Sequence, residues 1–173
     1  MNRIAKFHKV SWEQFLKDYI DTFGEIDEER ILEVQEIYDG ITLPKRATKD
    51  SAGYDFVAPV PIKLYPGTTM KIPTGIRCSM NEGWVLKIYP RSGLGFKYRL
   101  QLNNTVGIID GDYFHSNNEG HIFIKITNDT NEFKTVEVGA GKGFAQGIFV
   151  EYGITLDDDA DGIRNGGFGS TGV

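Results

Sequence analysis

The chain has little of the residues that build disulfides and zinc sites. Its 173 residues include one cysteine, Cys78, and three histidines, His8, His115 and His121. A single cysteine excludes an internal disulfide and fits a reducing compartment, so we expect a cytoplasmic protein. With so few thiol and imidazole groups, a zinc site is not expected.

The chain also lacks long apolar runs and an excess of positive charge. No stretch approaches transmembrane length, and residues 1–10 lack the apolar core of a signal peptide, so we expect no membrane association. The net charge of −5 argues against direct nucleic-acid binding. A polyanionic small ligand would need local donors or a bound cation, because the overall field repels it.

Helical signals are confined to the N-terminal extension, residues 1–40. Ser11 and Gln14 form a capping box, and Gly24 and Gly40 stand where helices stop. The apolar residues that recur at helical spacing between these signals are Trp12, Phe15, Leu16, Tyr19, Ile20 and Phe23. We predict two helices whose apolar stripe packs on the core or an interface, with binding of a partner protein as the alternative.

After Gly40 the apolar segments become short and β-branched or aromatic, with Pro, Gly and Asn between them. The predicted strands are Ile62–Tyr65, Thr69–Ile72, Trp84–Tyr89, Gly120–Ile126, Thr135–Val138 and Phe144–Tyr152. This pattern is typical of an antiparallel sandwich, jelly roll or barrel. We therefore assign residues 41–156 to a β domain and residues 157–173 to an acidic linker and a glycine-rich arm.

The C-terminal arm has the composition of a ligand lid. Four glycines occur within residues 166–172, beside Phe168, Ser170 and Thr171. Glycine amides can approach phosphate oxygens, hydroxyls can donate to them, and an aromatic ring can stack on a base. A frayed chain end is the alternative reading.

Four further segments carry chemistry within the β region. In Ala52–Phe56, the carboxylate of Asp55 lies two residues after Gly53. Pro90–Leu94 offers a guanidinium, a hydroxyl and a glycine amide at the end of a strand, and this segment can bind a phosphate or simply form a turn. Asn104–Tyr113, leading into Gly120–Ile124, predicts a hairpin whose exposed backbone can pair with a nucleobase. The fourth segment is Gly143–Gln146, in which the side chain of Gln146 can donate an amide hydrogen bond.

In order and spacing these five segments resemble the five motifs of the trimeric dUTPase family over residues 41–173. The resemblance implies a mainly β, jelly-roll-like antiparallel barrel and a homotrimer with three sites, each built by three chains and closed by an exchanged C-terminal arm. It implies hydrolysis of dUTP to dUMP and pyrophosphate. Mg²⁺ would be held through the substrate phosphates, without a direct protein ligand.

The resemblance also implies residue roles. Asp110 would hold the 3′-hydroxyl and orient the attacking water, Asp55 is the carboxylate of motif one, and Tyr113 would pack on deoxyribose and exclude a 2′-hydroxyl. The other implied substrate-binding residues are Arg91, Ser92, Gly93 and Gln146 for phosphate, Asn104, Ile108, Ile109 and Phe123 for uracil, and Arg164, Phe168, Gly169 and Ser170 in the arm.

Three departures from the family pattern stand out. Residues 114–119 form an apparent insertion after Tyr113. Lys142 and Gly143 replace the usual acidic residue and arginine of motif four, and Arg164 lies one residue closer to the glycine pair than usual.

Two other functions stay open at the level of sequence. A dCTP deaminase of the same superfamily would need a glutamate where this chain has Lys125. A regulatory protein could use the dUTPase fold to bind a partner protein, with residues 1–40 as the partner-binding segment.

Overall fold

The computed structural model describes residues 2–164, 166 and 167, and its N-terminal extension contains a strand as well as the two expected helices. Strand β1 (Ala5–Lys9) precedes helices α1 (Trp12–Phe23) and α2 (Glu28–Gly40). Both helices begin at capping side chains: Ser11 accepts from the amide of Gln14, and Asp27 accepts from that of Arg30.

The remaining described elements are strands apart from one short α-helix and one 3₁₀-helix. They are β2 (Lys45–Arg46), β3 (Tyr54–Val57), β4 (Ile62–Leu64), β5 (Thr69–Pro73), β6 (Ile76–Met80), β7 (Trp84–Pro90), α3 (Ser92–Tyr98), β8 (Leu100–Leu102), β9 (Gly107–Ile109), the 3₁₀-helix Gly111–His115, β10 (Phe123–Asn128), β11 (Val136–Val138) and β12 (Gly143–Glu151). Each of the six predicted strand segments contains a strand. The largest difference is the segment predicted from Gly120, whose strand begins at Phe123.

The mainly β, antiparallel architecture is confirmed, but the expected closed barrel is not found among the described residues. The strands form four separate sheets, with the orders β1-β6, β5-β10-β8, β11-β4 and β2-β3-β12-β7-β9. Prolines contribute to the breaks, because proline has no amide hydrogen for a ladder. Pro73 and Pro90 end β5 and β7, and Pro59 and Pro61 separate β3 from β4.

The extension is built into the core. Strand β1 pairs antiparallel with β6, which places Phe7 opposite Cys78. The Phe7 ring packs against Tyr54, Phe56 and Phe149 at centroid distances of 5.4, 5.8 and 5.7 Å. Helix α1 adds the buried rings of Phe15 and Tyr19 to the same core. The apolar stripe predicted for the first helix is therefore largely core packing.

Every helix in the described part of the chain falls short of the length and hydropathy that crossing a membrane requires.

Candidate active site

The first group of predicted site residues, defined here as the phosphate cluster, is Asp55, Arg91 and Gln146. Gln146 on β12 lies opposite Asp55 on β3 and opposite Tyr89 on β7. The Nε of Arg91 is 3.2 Å from Oδ1 of Asp55, and Nε2 of Gln146 donates to the carbonyl of Pro90 at 3.2 Å. The middle strands of the five-stranded sheet therefore bring three sequence motifs together.

Two glycines give this cluster its shape. A Cβ on Gly53 would lie 2.6 Å from Oε1 of Gln146, and a Cβ on Gly143 would lie 2.9 Å from Nη1 of Arg91. Any larger residue at either position would displace a side chain of the cluster. Sequence reasoning does not assign these glycines to the site, although Gly143 is one of the departures from the family pattern in motif four. Gly143 stands where the resemblance to the family leads us to expect an arginine, and the guanidinium of Arg91 lies against this position.

The outer surface of the phosphate cluster is accessible. Ser92 and Gly93 begin helix α3 and are exposed, as is Arg91. The hydroxyl, the amides and the exposed part of the guanidinium can all donate to an anion. Asp55 offsets part of the charge of Arg91, so the cluster alone is only weakly cationic.

The second group, defined here as the carboxylate cluster, is Asp110, Asp112, Tyr113 and Arg164. Asp110 precedes the 3₁₀-helix that carries Asp112 and Tyr113. Arg164 contacts both carboxylates, with Nη2 at 2.5 Å from Asp110 and Nε at 2.9 Å from Asp112. The arm thus lies beside motif three of its own chain at this residue.

Tyr113 is held from several directions and is 5% exposed. Its hydroxyl donates to the carbonyl of His121 at 2.6 Å and accepts from Nδ2 of Asn118 at 2.8 Å. Burial raises the pKa of Tyr113 above its usual value, although the Asn118 hydrogen bond opposes this. A Cβ on Gly167 would lie 2.7 Å from the Tyr113 ring, so the arm needs glycine there to approach it.

The two-stranded hairpin predicted for motif three is wrong. Strand β9 pairs with β7, whereas β10 pairs with β5 and β8. The 3₁₀-helix and the loop after it occupy residues 111–122, which lets the two strands diverge into different sheets. Strand β9 is nevertheless an edge strand of its sheet, so its outer backbone groups can still pair with a ligand.

The residues predicted to read uracil lie on two sheets: Asn104, Ile108 and Ile109 are in or beside β9, and Phe123 begins β10. Asn104 is exposed in the turn before β9, Ile108 is 51% exposed, and Ile109 is half-buried. The ring of Phe123 lies 4.5 Å from that of His121 and 4.8 Å from Nζ of Lys71. Phe168, Gly169 and Ser170 lie outside the described residues.

The phosphate and carboxylate clusters lie at opposite ends of β7. Strand β9 runs antiparallel to β7 with Ile109 opposite Leu86, so Asp110 follows beside Val85, while Arg91 follows the other end of the strand at Pro90. Six residues of extended chain separate these positions by about 20 Å. Within one chain, the structure does not bring all predicted site residues together.

The described residues contain no group of three or more His, Cys, Asp and Glu side chains that could hold a metal ion.

Comparison with known proteins agrees with this set of motifs. The dUTPase family model matches residues 39–172, and the chain belongs to the dUTPase family. A deoxyuridine 5′-triphosphate nucleotidohydrolase from Lactococcus lactis subsp. lactis (strain IL1403) is 42% identical over 137 residues, which cover 78% of this chain and 90% of that protein.

Solved structures give the same family. The crystal structure of dUTPase from Streptococcus mutans is 40% identical, covers 67% of this chain and 89% of its own, and superposes with a TM-score of 0.58. A mutant dUTPase from phage phi11 of S. aureus, described as coordinating a structural Mg(II) ion, shares the fold at 23% identity and a TM-score of 0.56, with 70% and 90% of the two chains covered.

Proposed function

We propose that this member of the dUTPase family hydrolyses dUTP to dUMP and pyrophosphate. The observation that carries the proposal is the convergence of Asp110, Tyr113 and Arg164, of which Arg164 is 54 residues from Asp110 in sequence. A carboxylate, a sugar-sized aromatic and a guanidinium in one place fit the 3′-hydroxyl, the deoxyribose ring and a phosphate of a nucleotide.

The reaction requires one oriented water. Asp110 holds the water behind the α-phosphorus and accepts its proton as the water oxygen bonds to phosphorus. The bond from the α-phosphorus to the oxygen that bridges to the β-phosphorus breaks, and pyrophosphate leaves. Arg91 and Arg164 stabilise charge on the phosphates, so positioning and electrostatics provide the catalysis without a covalent intermediate.

We propose that Mg²⁺ is bound through the substrate phosphates. Both arginines already neighbour carboxylates, Arg91 that of Asp55 and Arg164 those of Asp110 and Asp112. Little net positive charge is left for a triphosphate of about four negative charges, and a divalent cation would supply the missing neutralisation.

We further propose a homotrimer in which each site combines residues of three chains. The two clusters are about 20 Å apart along β7, so one nucleotide can contact both only if a second copy contributes one of them. Residues 157–163 are exposed throughout and form a tether that would carry the arm to a neighbouring copy. The contact of Arg164 with Asp110 can then form between copies, and Phe168 would cover the base.

The edge of β9 and the ring of Tyr113 would determine which nucleotide is accepted. The unpaired edge of β9 would pair with uracil, and the ring of Tyr113 would leave no room for a 2′-hydroxyl. In this arrangement residues 41–156 form the catalytic domain, and residues 157–173 form the tether and lid.

Pyrophosphate release from dUTP, dTTP, UTP and dCTP, measured with and without Mg²⁺, tests the function. We expect release from dUTP alone, and only with Mg²⁺. Equal hydrolysis of UTP would remove the role given to Tyr113, and ammonia release from dCTP would replace hydrolysis by deamination.

A further inference from the structure

A buried polar contact joins the N-terminal extension to the residues that hold Tyr113. Asp18 of α1 is 8% exposed and His121 is fully buried, and Nδ1 of His121 lies 2.5 Å from Oδ2 of Asp18. The other ring nitrogen, Nε2, accepts from the amide of Gly75 at 2.7 Å. Because Nε2 is an acceptor, the ring proton is on Nδ1 and is donated to Asp18.

The imidazole is therefore fixed on both sides, and its residue in turn fixes Tyr113. The carbonyl of His121 accepts the Tyr113 hydroxyl at 2.6 Å. Asp18 itself is held by Gln14, whose Nε2 donates to Oδ2 at 2.8 Å. A continuous set of hydrogen bonds thus runs from helix α1 through His121 to the aromatic ring of the carboxylate cluster.

A second contact from α1 holds the same loop. The amide and hydroxyl of Ser11 donate to the Glu119 carboxylate at 2.8 and 2.6 Å. Glu119 has a φ of +58°, a left-handed conformation that is costly for a residue with a side chain, so contacts from outside the loop must support it. Gly120 follows at +69°, which glycine adopts without strain. A Cβ on Gly120 would lie 2.6 Å from the carbonyl oxygen of Tyr113, so this loop packs directly on the Tyr113 backbone.

We propose that Asp18 is a positioning residue for the nucleotide site and sets its discrimination between deoxyribose and ribose. The inference rests on the proposed function, because it concerns the sugar-facing role of Tyr113. When Asp18 holds the His121 ring, the His121 carbonyl keeps the Tyr113 hydroxyl and ring in one place. Without Asp18, the buried Nδ1–H of His121 has lost its acceptor, and the loop shifts to find another.

The test compares Asp18→Ala, Asp18→Asn and Asp21→Ala in the full chain. Asp18→Asn keeps an oxygen that accepts from His121. Asp21 is an exposed acidic residue of the same helix, and its carboxylate pairs with Lys71. The values of kcat and KM are measured for dUTP and UTP. We expect Asp18→Ala to lower the dUTP-to-UTP ratio of kcat/KM about tenfold, while the ratios of Asp18→Asn and Asp21→Ala stay within about twofold of the starting chain.

A double-substitution experiment separates positioning from general destabilisation. Tyr113→Phe removes the hydroxyl that donates to the His121 carbonyl, and with it the link from Asp18 to the Tyr113 ring. Adding Asp18→Ala to Tyr113→Phe should therefore change the dUTP-to-UTP ratio of kcat/KM no further. If Asp18→Ala does not fold, Tyr113→Phe alone decides, since an unchanged ratio shows that the hydrogen bond to His121 does not set discrimination.

The outcomes distinguish this inference from the function on which it rests. If the unaltered chain shows no preference for dUTP over UTP in kcat/KM, the proposed function and the inference are overturned together. If the unaltered chain prefers dUTP and the Asp18→Ala variant has the same dUTP-to-UTP ratio of kcat/KM, the inference alone is overturned. Asp18 is then a purely structural residue.

Discussion

Arg164 and Asp110 are joined by a 2.5 Å contact between a C-terminal guanidinium and the carboxylate of the carboxylate cluster. Asp112 shares the guanidinium from its other side at 2.9 Å. The arginine thus organises two carboxylates that would otherwise repel each other and the incoming triphosphate. In the proposed function Asp110 is the catalytic carboxylate, so Arg164 would orient it and offset part of its charge before a nucleotide binds.

Asp110→Asn should abolish most of the activity, because an amide cannot accept the proton of the attacking water. We expect kcat for dUTP to fall by roughly 10² to 10⁴. Steady-state pyrophosphate release measures the change. Asp112→Asn is the matched control, since it shares Arg164 but is not assigned to the reaction, and its kcat should change by less than about tenfold. Equal losses in both variants would mean that the ion pair, rather than the proton acceptor, matters.

Two inactive variants should restore activity when they are mixed. Arg91→Ala removes the phosphate cluster's guanidinium, and Asp110→Asn removes the other cluster's carboxylate. In mixed trimers, some sites combine Arg91 from one copy with Asp110 from another, so activity should exceed that of either variant by at least about tenfold. Refolding the two chains together, then separately, provides the comparison. If no activity returns, each site lies within one chain and the proposed assembly is wrong.

Ser11→Ala should destabilise the fold more than the loss of a helix cap alone. The Ser11 hydroxyl caps α1 and also donates to the Glu119 carboxylate, and Ser11→Ala removes both contacts, whereas the Asp27 side chain only caps α2. At pH 7 we expect Ser11→Ala to lower the free energy of unfolding by about 2 kcal/mol, and Asp27→Ala by about 1 kcal/mol. Urea unfolding followed by circular dichroism measures both, and equal values would argue against the additional contact.

This difference should also depend on pH. Partial burial alone would raise the pKa of Glu119, but the hydrogen bonds from Ser11 and the charge of Arg77 outweigh it and hold the pKa below its usual value of 4.5. A carboxyl with a lowered pKa stabilises the fold fully above its unfolded value and loses that contribution as pH falls through the folded value. The excess effect of Ser11→Ala should therefore shrink below about pH 4. An excess that is constant from pH 7 to pH 3 would contradict the prediction.

Cys78 should be inert to thiol reagents while β1 is in place. Burial raises the pKa of the Cys78 thiol to about 12, and Phe7 lies opposite it in the register of β1 and β6. At pH 8 only about 10⁻⁴ of such a thiol is ionised. Reaction with a chromogenic disulfide should be slow in the native chain and fast in denaturant. Phe7→Ala should accelerate the native reaction at least about tenfold relative to Lys6→Ala, and equal rates would show that β1 does not protect the thiol.

Local signals account for the parts of the fold that sequence predicts well. The capping box of Ser11 and Gln14 marks the start of α1 and Gly24 marks its end, and Gly40 is the last residue of α2. The exposed Lys63 between the buried Ile62 and Leu64 shows the alternation expected of a strand with one face in the core.

Contacts between residues that are far apart in the sequence could not be predicted. The pairing of Phe7 with Cys78 and the contact of Asp18 with His121 join residues 71 and 103 positions apart, and neither leaves a local pattern. Sequence reasoning gives His121 no role in the site, whereas its ring is a buried link between two elements. The motifs identified the chemical groups, but their division between two ends of β7 depends on strand order and direction.

The seven-residue length of β7 has a consequence for how such an enzyme is switched on. In the proposed homotrimer, a single folded chain holds its two half-sites at the two ends of β7 and completes no site by itself. The proposed assembly therefore makes turnover depend on protein concentration, so that activity would fall on dilution before any helix or strand unfolds.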